Sequence, residues 1–185
     1  MTDDYKLVTG AWMEAIGTII SALAETRELV GITEFNNRIV AVGKGLQAVG
    51  SMLIGTVETD DPLNFAGNWI DGAGAAGSSI ASYLKYLEPE NREANIRLEI
   101  LGDSFQSMGA SISALADHLA GEEALALGNA AQGLGAGLEA IGANYRLKDR
   151  REEGQSLITI GAIIQAIGAN SNAIVITRQL IDTES

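Results

Sequence analysis

Residues 10–17 read GAWMEAIG, and the same phrase returns in altered letters five more times. It stands as GKGLQAVG at 43–50, GNWIDGAG at 67–74, GDSFQSMG at 102–109, GNAAQGLG at 128–135 and GAIIQAIG at 161–168. Each copy has two glycines seven residues apart. Glu, Asp or Gln stands four residues after the first glycine, then a small residue, and an apolar residue precedes the second glycine. The second, fourth and sixth copies begin at 43, 102 and 161; the first, third and fifth at 10, 67 and 128. Three copies of a two-segment unit about 59 residues long follow from this spacing. Trp12 and Trp69 hold the same place in the first two odd copies.

Apolar residues such as Met13, Ile16 and Ile20 recur at helical spacing around the first copy, and no strand alternation is present. Asp61-Pro62 supplies a carboxylate N-cap followed by proline at the first helical position. Pro89 marks another helix start, and the charged run 148–153 marks a solvated turn. The expected fold is all-α. It is a single helical repeat domain over 1–185, with six helices near 4–27, 33–58, 62–87, 90–119, 122–147 and 152–181. These form three hairpin units, about 4–58, 62–119 and 122–181, closely packed through glycine stripes.

On a helical wheel the paired glycines lie about 20° apart and form a smooth stripe. An interior glycine costs about 0.5–1 kcal/mol relative to alanine, so a stripe kept six times needs a use. That use is close backbone approach. The expected helix-packing glycines are Gly10, Gly17, Gly43, Gly50, Gly67, Gly74, Gly102, Gly109, Gly128, Gly135, Gly161 and Gly168. Beside the stripe, Glu14, Gln47, Asp71, Gln106, Gln132 and Gln165 form an expected interhelical polar layer that sets register.

The six segments 10–23, 39–57, 63–84, 100–116, 124–142 and 157–177 hold only five of the 36 charged residues: Glu14, Lys44, Asp71, Asp103 and Glu139. Ordinary surface helices carry charge along their whole outer face. Helices with so thin a polar face leave apolar and small surface over, which points to self-association or to lipid.

Composition excludes several chemistries. The absence of cysteine removes disulfides and thiolate-bound zinc, and a single histidine, His118, excludes multi-histidine metal sites and argues against a Ser-His-Asp enzyme. A net charge of −12 opposes nucleic acid and anionic membrane surfaces, which select for basic patches. Glu14 and Asp71 could be paired carboxylates, but no base accompanies them. GAGAAG at 72–77 matches a dinucleotide fingerprint only in letters, because it lies inside a helical block. Trp12 and Trp69 read as packing anchors rather than stacking sites, and His118 as a surface residue. No catalytic or metal residue, no cofactor and no small-molecule substrate is expected.

Residues 157–177 carry no charge, enough to span a bilayer, yet include Gln165, Asn170, Ser171 and Asn172. The connections lack the Lys/Arg excess that would orient spans. The acidic start at 1–6 is unlike a secretory leader. A cytoplasmic location is therefore expected.

The stretches GAWMEAIGTIISALAETRE (10–28) and GAIIQAIGAN (161–170) resemble the glycine-rich "repetitive protein" families of unknown function in Bacillus-type bacteria. The resemblance implies a bacterial source and no catalytic residue. The expected function is non-enzymatic: a structural protein that self-assembles into a homo-oligomer or filament. The alternative is a membrane-associated or pore-forming protein built on small-residue helix packing.

Overall fold

The computed structural model describes residues 3–33 and 35–184, and the side chains of residues 3–33 and 35–182. It is all-helical: α1 (Asp3–Leu29), α2 (Asn36–Gly55), α3 (Pro62–Leu87), α4 (Arg92–Ala120), α5 (Glu123–Leu147) and α6 (Arg151–Glu184). Residues 1 and 2 of the acidic start, and residue 34 within the expected second helix, lie outside the described residues.

Local chemistry sets the ends. The Asp61 carboxylate accepts from the backbone N–H groups of Leu63 and Asn64 at 2.9 and 3.2 Å, capping α3 ahead of Pro62. Gly121 closes α4 with φ of 83°, its N–H donating to the His118 carbonyl at 3.1 Å. Several boundaries differ from expectation. The second helix is shorter at both ends, its last turn giving way to a connection over 56–61. Pro89–Asn91 forms one turn of 3-10 helix, so α4 starts at Arg92 rather than at 90. The last helix runs on to Glu184 instead of stopping at 181.

Each helix packs on the next in the chain, and α6 returns to pack on α1. Among the described residues no helix packs on one across the middle, so the six form a closed antiparallel ring around a narrow interior. The α1–α2, α3–α4 and α5–α6 connections share one end, termed the hairpin end. Residues 3 and 184 share the other with the α2–α3 and α4–α5 connections, and this is termed the terminal end.

The twelve repeat glycines stand opposite one another in pairs. A Cβ on Gly17 would lie 2.5 Å from the Gly43 carbonyl oxygen; on Gly74, 2.6 Å from that of Gly102; on Gly135, 2.5 Å from that of Gly161. Gly10 faces Gly50 at 2.8 Å, Gly67 faces Gly109 at 2.9 Å and Gly128 faces Gly168 at 3.0 Å by the same construction. These separations leave no room for a side chain.

What fills the interior is unusual. Among the described residues no Leu, Met, Phe, Tyr or Trp is buried. The buried apolar residues are alanines with Val40, Ile54, Ile96, Ile158 and Ile176, gathered in two small clusters near opposite ends. The large apolar side chains point outward instead, for example Leu23 at 61% exposed, Leu127 at 74% and Ile167 at 61%.

Two glycines of α3 separate contact from propensity. Gly74→Ala is expected to destabilise by about 1–3 kcal/mol, because its Cβ has to displace backbone. Gly77→Ala, whose Cβ would find its nearest neighbour at 3.5 Å, is expected to stabilise by about 0.5–1 kcal/mol through helix propensity. Thermal unfolding of the two variants measures the difference.

Candidate functional site

The interior of the ring is the candidate site, because every charge carried by the six repeat segments is there. Glu14, Lys44, Asp71, Asp103 and Glu139 are all buried, none more than 9% exposed. The most exposed positions of the same segments are apolar, apart from alcohols such as Thr56, Ser104, Ser111 and Ser171. Ser104 and Ser111 turn their hydroxyls back onto the carbonyls four residues earlier, at 2.6 and 2.7 Å.

Helical periodicity explains the inward aim. A residue four positions after each contact glycine lies about 40° round the helix from it, which turns it to the interior. The first glycine of each copy thereby sets Glu14, Gln47, Asp71, Gln106, Gln132 and Gln165 inside, and all six are buried. They fall at two depths. Gln47 and Gln106 meet directly, the Gln106 amide donating to Gln47 at 3.2 Å. Gln165 sits at the same depth beside Glu139; with its amide turned so that the nitrogen faces the carboxylate, it donates to Glu139 Oε1 at 3.3 Å and accepts from the Ala136 N–H at 3.2 Å. Glu14 is hydrogen-bonded by Gln132, and Asp71 accepts from Ser51 Oγ at 2.6 Å. The structure thus groups the polar positions as two sets of neighbours rather than one layer.

At the centre lies a cation that sequence reasoning counted but did not assign. Lys44 Nζ reaches Glu139 Oε2 at 2.6 Å, Gln106 Oε1 at 2.7 Å and Asp103 Oδ1 at 3.3 Å. These partners sit on α5 and α4, neither of which packs on α2, so the ammonium bridges the ring from inside. Ser78 Oγ also donates to Asp103 Oδ1 at 2.7 Å. A signal for this cluster existed. Lys44 and Asp103 occupy equivalent places 59 residues apart, and Ser21, Ser78 and Glu139 each follow the second glycine of an odd copy by four residues.

Toward the hairpin end a further level pairs Lys85 Nζ with Glu99 Oε1 at 2.6 Å, while Gln155 Nε2 donates to Glu25 Oε2 at 2.7 Å. Glu99 Oε2 is buried without a hydrogen-bond partner. Toward the terminal end the ring widens into a cavity of about 260 Å³ reached by residues of all six helices. Its acidic lining is Glu14, Glu58, Asp61, Asp71, Asp117 and Glu122, with no lysine or arginine. Burial, followed by the nearby Asp117 and Asp61 carboxylates, pushes Glu58 above the usual carboxylate range. Asn64 and Asn129 donate to Asp117 at 2.8 and 2.7 Å, and Asn172 donates to Asn129 at 2.7 Å.

The remaining candidates lie outside this interior network. GAGAAG at 72–77 is mid-helix in α3, with no strand before it. His118 is exposed at the end of α4, 2.9 Å from Glu123. Trp12 and Trp69 face outward; Trp12 Nε1 donates to Thr177 Oγ1 on α6 at 3.0 Å, and Trp69 lies beside Phe65 with ring centroids 6.2 Å apart.

A family model matches residues 5–173, most of the chain. The chain belongs to a family of unknown function, DUF6944. That description names no activity, source or repeat. No curated protein and no solved structure matches the chain.

The Lys44 cluster makes a prediction. Lys44→Met leaves Asp103 and Glu139 buried without their counter-charge and is expected to cost about 3–5 kcal/mol. Adding Glu139→Gln to that variant should recover part of the loss, since it removes one uncompensated charge. Unfolding of the single and double variants by heat or denaturant reads both effects.

Proposed function

We propose that this chain is an integral membrane protein, a six-helix barrel that presents its apolar face to lipid and encloses a carboxylate-rich interior through which protons or small cations pass. The single observation that carries the reading is the partition of side chains. Large apolar residues are outside, and charged residues of the repeat segments are inside. In water this arrangement reverses the hydrophobic driving force, since burial of large apolar side chains is what stabilises soluble folds. In a bilayer it is the expected one, because intramembrane charges face a bundle interior and pair there.

Three further features support it. Two helices, Asp3–Leu29 and Arg151–Asp182, are long and apolar enough to cross a membrane by length and composition, which alone is weak evidence. Charges such as Lys44, Asp71, Asp103 and Glu139 punctuate the other helices, but all four are buried. The six Trp and Tyr residues lie toward one end of the ring or the other: Tyr5, Trp12 and Trp69 near the terminal end, Tyr83, Tyr86 and Tyr145 near the hairpin end. On α3, exposed Phe65 and Tyr86 are separated by about 31 Å of helix, close to the thickness of a hydrocarbon core.

In this reading the glycine pairs are the packing device, used twice in each of three equivalent hairpins. Lipid supplies no hydrophobic force between helices, so close backbone approach through small residues holds them together. The interior sets the selectivity. Seven buried carboxylates (Glu14, Glu25, Asp71, Glu99, Asp103, Asp117 and Glu139) outnumber the lysines Lys44 and Lys85, which favours cations. The bonds of Lys44 to Asp103, Gln106 and Glu139 close the middle, and conduction requires them to part. Self-assembly in water is the competing use of the same surface, with apolar grooves such as that between Ile19, Leu23, Ile163 and Ile167 filled by a second copy.

Flotation with phospholipid vesicles tests the membrane reading. The chain is expected to rise with the vesicles and to stay with them after alkaline carbonate washing. Protein left at the bottom as a discrete soluble assembly overturns it in favour of self-assembly. Reconstituted vesicles should then dissipate a pH or potassium gradient, and Asp71→Asn and Glu139→Gln should slow the decay. Vesicles that hold both gradients overturn the cation pathway.

A further inference from the structure

We propose an orientation for the barrel: the hairpin end faces the cytoplasmic leaflet and its anionic headgroups, and residues 3 and 184 lie on the opposite side. The inference rests on the membrane reading above and adds to it a direction and a lipid partner. Its basis is the placement of the twelve Lys and Arg residues. Arg27 and Arg38 flank the α1–α2 connection. Lys85, Arg92 and Arg97 flank the α3–α4 connection. Arg146, Lys148, Arg150 and Arg151 flank the α5–α6 connection. All nine belong to the hairpin end, against Lys6 and Arg178 at the terminal end; of the nine, Lys85 is turned to the interior beside Glu99, and Lys44 lies at the centre.

This bias follows only from sorting helix ends by their position in the ring. It is invisible when the connections are taken singly, because several of these residues lie in the last or first turn of a helix. The number of Lys and Arg residues governs orientation, while Asp and Glu count for little, so the net charge of −12 does not oppose the assignment. The cytoplasmic leaflet carries the anionic lipids and a negative surface potential that retain such residues.

The side chains are arranged to meet headgroups. The Arg38 guanidinium lies 5.0 Å from the Tyr86 ring centre, and that of Arg150 lies 4.3 Å from the Tyr145 ring centre. Cation and aromatic ring are thus stacked at the depth where aromatic residues meet the interface. Arg92, Arg146 and Arg151, together with Glu28 and Glu152, line a hollow of about 500 Å³ at the same end, large enough to admit a phosphate headgroup and with one basic residue in excess. The cavity at the other end is lined by six carboxylates and no lysine or arginine, so of the two hollows only the one at the hairpin end offers basic side chains.

The chain contains no cysteine, which makes single-cysteine labelling direct. Glu90→Cys reports the α3–α4 connection and Thr59→Cys the α2–α3 connection, both at exposed positions. Each full-length variant is expressed in bacterial cells and treated with a membrane-impermeant maleimide before and after permeabilisation of the inner membrane. The protein is then recovered from membrane and soluble fractions. T59C is expected to label in intact cells, and E90C only after permeabilisation, with both chains in the membrane fraction. The reverse pattern, or equal labelling or equal protection of the two in membrane-bound chain, overturns the orientation and leaves the membrane reading standing. Recovery of both chains in the soluble fraction overturns the two together.

Discussion

A charge removed from water needs a partner, and in this ring Lys44 finds its partners by reaching across the interior to two other helices. The rest of the architecture is organised around that requirement. An ammonium on α2 held by Glu139 on α5 and Asp103 and Gln106 on α4 ties α2 to two helices that do not pack on it. Around it, the glutamine amides, the serine hydroxyls and the remaining carboxylates satisfy one another in successive levels. A buried network of this kind is stabilising only when its members are satisfied. Among the described residues Glu99 Oε2 and the Asn36 and Asn172 Oδ1 atoms are the buried exceptions without a partner.

Filling the interior with polar groups has a consequence for the exterior. A ring of six helices has one inside face per helix, and here that face is narrow because the contact glycines bring neighbouring backbones close. Large apolar side chains have no place in so small a space. They turn outward, leaving alanine and a few isoleucine and valine residues as the buried apolar content. Such a surface asks for an apolar environment, whether lipid or further copies of the chain. Outward-facing Trp and Tyr near both ends and basic residues concentrated at one end favour lipid over stacking.

Much of this was legible before any coordinates. The heptad-spaced glycines, the six helices and the shared line of Glu14, Gln47, Asp71, Gln106, Gln132 and Gln165 beside the glycines follow from periodicity, because a fixed angular step relates residues on one helix. Asp61-Pro62 marks a helix start through chemistry confined to a few neighbouring residues. The partnership of Lys44 with Asp103 and Glu139 was not legible. It joins residues 59 and 95 positions apart, and no local rule states which helices face each other through the ring. The same holds for the basic end, whose residues are scattered among helix termini until the helices are laid antiparallel.

The amino-acid sequence by itself determined that each helix has a small-residue stripe, a polar line beside it and an apolar remainder. It did not say which of these faces points inward. A helical wheel is symmetrical in that respect: the same pattern serves a soluble bundle that buries its apolar face and a barrel that buries its polar one. Only the tertiary structure decided between them, by closing α6 against α1. With each hairpin joined through its glycine stripes and the ring closed, the adjoining polar line is the face that turns in, and the apolar remainder is left outside.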